Sequence, residues 1–201
     1  MKLYYTPGAC SLSPHIVLRE AGYDFELVRV DLAAKTLPDG GDFRAICPMG
    51  YVPALQLDDG EVLTEGAAII QYLADDSPAA GLLPAAGTRE RARAVSFVAF
   101  VNAEAHKAFS PLFDPRSSED GKAAARQAVI RRLDHLEAIL ADGRRHAVGE
   151  TFTIADAQLY AVVRWAGPTG IGFDAWPNLK RVLDRIEARP HVQAALAAEA
   201  A

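Results

Sequence analysis

Strand signals in this 201-residue chain stop at about residue 64, and only helix signals follow. Before that point, short β-prone runs alternate with helical stretches. The segment Ser77–Thr88, rich in Pro, Gly and Ala, then reads as a linker. We therefore predict an α/β domain at residues 1–80, a linker at 81–87 and an all-helical domain at 88–201.

The elements of the first part are expected in the order strand, helix, strand, helix, strand, strand, helix. The first helix has Ser13 as its predicted cap and Gly22 at its end. Asp58-Asp59-Gly60 predicts a hairpin turn, and Glu65–Asp75 carries a helical apolar face. The expected strands are Lys2–Tyr5, Phe25–Val30, Val52–Leu57 and Glu61–Thr64. This βαβαββα order resembles the thioredoxin fold.

The second part has the periodicity of packed helices. Thr153, followed three residues later by Asp156, predicts a capping box that opens a helix ending near Ala166. Pro177 and Pro190 each indicate the start of another helix. One long helix is predicted from apolar residues that share a face, namely Val129, Leu133, Leu136 and Leu140.

Composition excludes several classes of function. The net charge of −5 argues against a nucleic-acid partner, because such binding depends on Lys and Arg neutralising phosphates. No apolar run approaches the roughly 20 residues of a membrane-spanning helix. The first residues, MKLYYTPGACS, lack the apolar core of a secretory signal, so we expect a cytoplasmic protein without a membrane partner.

The chain has two cysteines, too few for a disulfide framework or a structural zinc site. Cys10 directly precedes the first helix, whose N-terminus favours a thiolate or an anion. Ser13 stands where a dithiol redox motif would have its second cysteine, so only single-thiol chemistry is expected. A small buried cysteine is the alternative reading of Cys10, and packing is the favoured role of Cys47.

Two strand ends offer backbone groups for a ligand. We predict a cis peptide bond at Val52-Pro53, because a proline there leaves the N–H and C=O of Val52 free for an extended peptide. Glu65-Gly66 closes a strand and opens a helix, which combines amide N–H groups for an anion with a carboxylate for an ammonium group. A helix cap is the simpler interpretation of Glu65.

His106 lies in the middle of a predicted helix, where histidine is most often a surface or core residue. Glu104 and Lys107 lie on a different part of the helix surface, so they are not simple ion-pair partners for it. The residue alone therefore leaves the role of His106 open.

The whole chain resembles bacterial beta-class glutathione transferases in the order and spacing of several short sequence strings. The strings are Lys2-Leu3-Tyr4-Tyr5, Pro7-Gly8-Ala9-Cys10-Ser11, Pro14-His15-Ile16, Leu18-Arg19-Glu20, Gly50-Tyr51-Val52-Pro53-Ala54-Leu55, Leu63-Thr64-Glu65-Gly66, His106-Lys107, Pro111-Leu112-Phe113 and Phe152-Thr153-Ile154-Ala155-Asp156. The resemblance implies a thioredoxin-like domain that holds glutathione, followed by a helical domain carrying the electrophile site.

The resemblance also implies roles for individual residues. Cys10 and His106 would face the glutathione sulfur as the catalytic residues. Lys35 would bind the glycyl carboxylate and the Val52 backbone the cysteinyl portion. Glu65 with Gly66 would hold the γ-glutamyl end. The full set of implied glutathione-binding residues is Cys10, Lys35, Tyr51, Val52, Glu65, Gly66, Glu104, His106 and Lys107.

A homodimer is implied as well, in which Glu104 and Lys107 reach the γ-glutamyl group bound by the neighbouring subunit. Glutathione would be the co-substrate, with no metal, and a small electrophile the second substrate. Many relatives carry Ser where this chain has Gly66, and some carry Asn and Leu where it has Ala99 and Ala105.

The implied activity is glutathione conjugation, in which Cys10, His106 and the first helix favour the thiolate of glutathione. Tyr5 is a competing activator, ranked below Cys10. Thiol exchange or reductive dehalogenation through a Cys10 mixed disulfide is the alternative within enzymes. A non-catalytic binding protein on the same fold is the alternative outside them.

Overall fold

The computed structural model describes residues 1–200, which form two compact units. The first comprises Met1–Pro84 together with the segment that begins at Arg189, and the second comprises Ala85–Ala188. The last helix therefore groups with the α/β part, whereas the sequence assigned it to the helical part. The domain boundaries at residues 80 and 88 remain predictions.

The strands and helices follow in chain order. They are β1 (Lys2–Tyr5), α1 (Leu12–Glu20), β2 (Glu26–Arg29), β3 (Ala54–Gln56), β4 (Val62–Thr64), α2 (Gly66–Asp76), α3 (Arg89–Phe100), α4 (Lys107–Phe113), α5 (Glu119–Leu140), α6 (Ile154–Val163), α7 (Pro177–Glu187) and α8 (Pro190–Ala200). Short 3-10 helices occur at Phe43–Ala45, Pro78–Ala80 and Arg164–Ala166, and a π-helix at Val101–His106.

The first unit is built on a mixed four-stranded sheet in the order β2-β1-β3-β4. The β1 strand is parallel to β2 and antiparallel to β3, with Leu3 opposite both Leu27 and Leu55. Alternate residues of β1 serve opposite faces, and Tyr4 packs with Phe43 and Cys47 in a buried cluster. The predicted thioredoxin-like fold is confirmed, as is the packing role of Cys47.

The start of α1 differs from the prediction. The helix begins at Leu12, so Ser11 and not Ser13 occupies the cap position. The Ser11 hydroxyl makes no cap bond; it accepts the Thr6 N–H and donates to the Thr6 carbonyl oxygen, each at 3.3 Å. The prediction of a Ser13 cap was wrong because a serine inside the first turn cannot be distinguished from a capping serine by composition alone.

The second unit is helical, as predicted. The apolar face of α5 is buried at all four predicted positions, and Pro177 is the first residue of α7. The predicted capping box is present: the side chain of Thr153 accepts a backbone N–H of α6, and Asp156 accepts the Thr153 N–H at 2.9 Å. Over residues 1–200, no helix is long and apolar enough to cross a membrane.

Candidate active site

Cys10 lies in the loop that joins β1 to α1, two residues before the helix begins. Its thiol is partly exposed, and Sγ donates a hydrogen bond to the Val52 carbonyl oxygen at 3.4 Å. At the start of α1 the amides of Leu12 and Ser13 donate to the carbonyl oxygens of Ala9 and Cys10, each at 3.1 Å, which fixes the loop on the helix. The thiol is therefore held between the N-terminus of α1 and the chain that enters β3.

The Val52–Pro53 peptide bond is cis, as predicted, and it lies directly before β3. Val52 itself is buried, whereas the preceding residue, Tyr51, exposes 61% of its surface. Several predicted site residues contact the segment Gly50–Pro53. Cys10 is one of them, through its hydrogen bond to Val52.

Lys35 contacts this segment from the loop after β2. Its ammonium group donates to the Gly50 carbonyl oxygen at 2.8 Å and lies 5.4 Å from the centre of the Tyr51 ring. A cation over an aromatic face is attracted by the ring electrons. Lys35 thus contacts the Gly50–Tyr51 end of the segment, and Cys10 bonds to the carbonyl of Val52.

Glu65 and Gly66 lie at the start of α2, and Gly66 packs on the Gly50–Pro53 segment. Glu65 is the helix cap, and its carbonyl oxygen accepts the N–H groups of Ala68 and Ile69. A Cβ on Gly66 would be 3.3 Å from Pro53 Cγ, so this residue packs closely on the cis-proline. The structure therefore brings five predicted residues together through Gly50–Pro53: Cys10, Lys35, Tyr51, Val52 and Gly66.

The backbone supports a functional role for two of these residues. Among residues 1–200, only Lys35 (φ 60°) and Glu65 (φ 64°) have positive φ without being glycine. Such conformations are unfavourable for residues with a side chain and concentrate at functional sites. The sequence contained no signal for this, because neither residue is a glycine or asparagine.

His106 belongs to the second unit and ends the π-helix. Its ring meets Trp165 edge to face, with centroids 5.0 Å apart, and Phe109 and Phe113 contact the same indole. Burial, together with neighbouring Lys107, lowers the pKa of His106 below its ordinary value of 6.5. The imidazole is therefore neutral near pH 7, with one nitrogen that donates and one that accepts.

Glu104 and Lys107 are exposed on the same helical run. The carboxylate of Glu104 pairs with Arg132 on α5 at 2.8 Å, a partner that the sequence did not indicate. Of the two departures from relatives in this region, Ala105 is buried and Ala99 is exposed.

Tyr5 is buried at the end of β1, where its ring packs against the ring of His15, with centroids 6.3 Å apart. Ser11 is a site residue that sequence reasoning missed. Its hydroxyl closes the loop around Cys10 through both backbone groups of Thr6. The one feature that distinguishes Ser11 is that it is fully buried next to the thiol, and burial cannot be read from one short string.

Each unit has its own set of groups. The first has one thiol, a lysine and a glutamate near a cis-proline segment. The second has a neutral imidazole packed on an aromatic cluster. Over residues 1–200 no group of three or more His, Cys, Asp or Glu side chains is placed to hold a metal ion. The groups of the first unit suit a short peptide with a carboxylate at one end and an ammonium group at the other.

Comparison with known proteins identifies the family. The model of the N-terminal domain of glutathione S-transferases matches residues 8–76, and the model of their C-terminal domain matches residues 100–190. The chain is 44% identical to glutathione S-transferase GstA of Escherichia coli O157:H7 over 199 residues, covering 99% of this chain and 98% of that protein.

Solved structures are equally similar. A sphingomonad glutathione S-transferase complexed with glutathione has a TM-score of 0.95 and 50% identity, covering 100% of this chain and 99% of that one. A bacterial beta-class enzyme from Sphingomonas chungbukensis has a TM-score of 0.95 and 49% identity, covering 99% and 98%. On these grounds the chain belongs to the glutathione S-transferase family and resembles its bacterial beta-class members.

Proposed function

We propose that this protein conjugates the thiolate of glutathione to small, mostly apolar electrophiles. One observation carries the proposal: the Cys10 thiol meets the carbonyl of Val52, before a cis-proline, at the N-terminus of α1. In that place an extended thiol peptide can pair with the Val52 backbone while its sulfur lies beside Cys10 and the helix amides.

The other predicted residues fit the rest of the ligand. Lys35 is a cation at the Gly50–Tyr51 end of the segment, which suits the glycyl carboxylate. Glu65 and the opening amides of α2 suit the ammonium and carboxylate of the γ-glutamyl end. These assignments carry the glutathione-binding roles known in the family over to individual residues of this chain.

Activation of the thiol follows from the same arrangement. A free thiol has a pKa of roughly 8.5, so little thiolate exists at neutral pH. Hydrogen-bond donors stabilise the charged form, and each unit of pKa corresponds to about 1.36 kcal/mol. Cys10, His106 and the α1 amides are the proposed donors. The thiolate then attacks carbon and forms the carbon–sulfur bond, while the bond to the halide breaks and halide departs, or the carbon–oxygen bond of an epoxide breaks and its oxygen takes up a proton.

Tyr5 is the weaker candidate for this role, because it is buried and packed against His15. The electrophile site is proposed for the helical unit, where half-exposed Phe113 supplies apolar surface and packs, like His106, on the buried ring of Trp165.

We propose a cytoplasmic homodimer as the working form. Tyr51 and Met49 expose 61% and 69% of their surfaces, more than large apolar side chains usually do, and both lie next to the proposed site. In that dimer Glu104, which is exposed, would reach the glutathione bound to the partner subunit with Lys107 beside it.

A substrate screen tests the proposed activity. Glutathione is offered with aryl halides, epoxides, hydroperoxides and mixed disulfides, and product formation is followed for each class. We expect conjugation of the carbon electrophiles to exceed thiol exchange. Exchange that dominates over conjugation would instead favour a Cys10 mixed-disulfide mechanism, and binding of glutathione without turnover of any class would favour a binding protein.

A further inference from the structure

Near Cys10, the first turn of α1 contains a serine whose hydroxyl group has no partner. This residue, Ser13, is fully buried. Over residues 1–200, its Oγ is one of two buried side-chain polar atoms that make no hydrogen bond. An unsatisfied hydroxyl in the interior is unfavourable, so such a group in a native protein calls for an explanation.

The backbone places the Ser13 side chain over that of Cys10. The Ser13 N–H donates to the Cys10 carbonyl oxygen at 3.1 Å, and the Leu12 N–H donates to the Ala9 carbonyl oxygen at 3.1 Å. Both bonds join residues three apart, as in a 3-10 helix, where the side chains at positions i and i+3 eclipse each other. The side chains of Cys10 and Ser13 are therefore neighbours on one side of this turn.

The other groups at the start of α1 are already engaged. Leu12 and Ser13 use their amides in the turn, Pro14 has no N–H, and the His15 N–H donates to the Ser11 carbonyl oxygen at 3.2 Å. The Ser11 hydroxyl is bonded to both backbone groups of a loop residue. Of the two serine hydroxyls beside Cys10, only that of Ser13 is therefore without a partner within residues 1–200.

The sulfur of Cys10 needs a donor whenever its present hydrogen bond is lost. The thiol has one proton, which it donates to the Val52 carbonyl oxygen at 3.4 Å. Deprotonation leaves the sulfur as an acceptor that faces a carbonyl oxygen, and an extended peptide on the Val52 backbone competes for the same oxygen. In both cases the sulfur can instead accept a hydrogen bond from the eclipsed hydroxyl.

We propose that Ser13 is a positioning residue for the Cys10 sulfur, to which its hydroxyl donates a hydrogen bond when the bond from Cys10 to Val52 is broken. A donor stabilises a thiolate more than a thiol, so Ser13 favours deprotonation of Cys10 and fixes the direction of its sulfur. Any effect on glutathione passes through Cys10 and rests on the proposed function, whereas the contact between the two side chains does not.

A disulfide tests whether the two side chains face each other. Ser13→Cys is made in a Cys47→Ala background and oxidised with diamide, which takes up the hydrogens of the two thiols. Residues joined by such a turn have Cα atoms less than about 7 Å apart, a separation that a disulfide can span. We therefore expect an intramolecular disulfide with Cys10.

Ser11→Cys in the same background is the matched control, because Ser11 is an equally buried serine of the same loop. Its Cα is only about 3.8 Å from that of Cys10, closer than disulfides normally allow, so this variant should keep both thiols. Two free thiols in folded, oxidised Ser13→Cys would overturn the inference.

The reactivity of Cys10 tests the hydrogen bond itself. In Ser13→Ala we expect the midpoint of the pH profile of iodoacetamide labelling to lie about 0.5 to 1 pH unit higher, as for one lost hydrogen bond. The melting temperature should equal or exceed that of the parent, because an unpartnered buried hydroxyl is removed. A hydroxyl with a purely structural role would leave the labelling profile in place, and that result would also overturn the inference.

The expected consequence for conjugation is a fall in kcat of about threefold to tenfold in Ser13→Ala, with KM for glutathione within about twofold of the parent. A raised KM with unchanged kcat would contradict an action through the sulfur. Because labelling and disulfide formation are measured without glutathione, a protein that lacks transferase activity still answers the question about Ser13 and Cys10.

Discussion

At the residue scale, the proposed site makes Gly66 a residue on which the affinity for glutathione should depend. A serine there would add a hydroxyl donor, but its Cβ would be 3.3 Å from Pro53 Cγ, so the ring must move by a few tenths of an ångström. A hydrogen bond contributes about 1 kcal/mol, which exceeds the cost of so small a shift in a pliable ring.

We therefore expect Gly66→Ser to bind glutathione about threefold to fivefold more tightly. Gly66→Ala is the control, because it adds the Cβ without the hydroxyl and should bind no better than the parent. Calorimetric titration with glutathione measures all three. Equal affinities for the Ser and Ala variants would mean that the hydroxyl reaches no part of the ligand.

The lowered pKa of His106 predicts how stability depends on pH. Near and below pH 6.5, His106 in the folded protein binds a proton less readily than an ordinary histidine in the unfolded chain, because burial lowers its pKa. The unfolded state therefore binds more protons, so stability rises with pH up to about 6.5 and is lost as the pH falls below it.

Denaturant titrations between pH 5 and 8 should show this slope in the parent protein and a flatter one in His106→Gln. An unchanged slope in the variant would show that burial of His106 does not lower its proton affinity.

At the scale of elements, the start of α6 is a junction held by buried polar contacts. Asp156 is fully buried and accepts the N–H groups of Thr153 and Ala147, each at 2.9 Å, with His146 Nδ1 at 3.1 Å. An asparagine would place an NH2 group against these donors. We expect Asp156→Asn to lower the free energy of unfolding by on the order of 3 kcal/mol.

Ser118→Ala is the comparison, because Ser118 caps α5 through a single exposed bond to the Gly121 N–H. Its loss should lower the free energy of unfolding by about 1 kcal/mol. Equal losses of unfolding free energy in Asp156→Asn and Ser118→Ala would contradict a special role for the buried capping box of α6.

These elements also show which features of the structure could be predicted from sequence patterns. The capping box, the α5 face and the cis-proline segment were predicted because each depends on a few adjacent residues with a distinct preference. The π-helix at Val101–His106 was not predicted, because its wider turn leaves no trace in an ordinary run such as Val-Asn-Ala-Glu-Ala-His. The orientation of His106 therefore had to come from the structure.

At the scale of the whole molecule, the missing information was long-range contact. The Gly8 N–H donates to Glu199, which is 191 positions away, and an Ala-rich tail gives no sign that one of its residues is buried beside the thiol loop. Lys35 and Glu65 could be placed from a resemblance to relatives, but their strained backbones could not. Short motifs predicted which residues matter, and tertiary packing determined how they are held.

The proposed assembly makes a prediction of its own. We expect a homodimer at micromolar concentration, with an interface along residues 88–107 and 65–75 that carries Glu104 toward the partner. Sedimentation velocity measures it, and a protein that remains monomeric over this range would contradict both the dimer and the shared site.

The most direct test of the whole account is the activity of Cys10→Ala, measured for conjugation and for thiol exchange with glutathione binding checked in parallel. If Cys10 only helps to stabilise the bound thiolate, the variant should keep part of its conjugating activity through His106 and the α1 amides. It should lose thiol exchange entirely, since that reaction needs the protein sulfur. Complete loss of both activities with unchanged glutathione binding would contradict the account and make Cys10 an obligatory nucleophile.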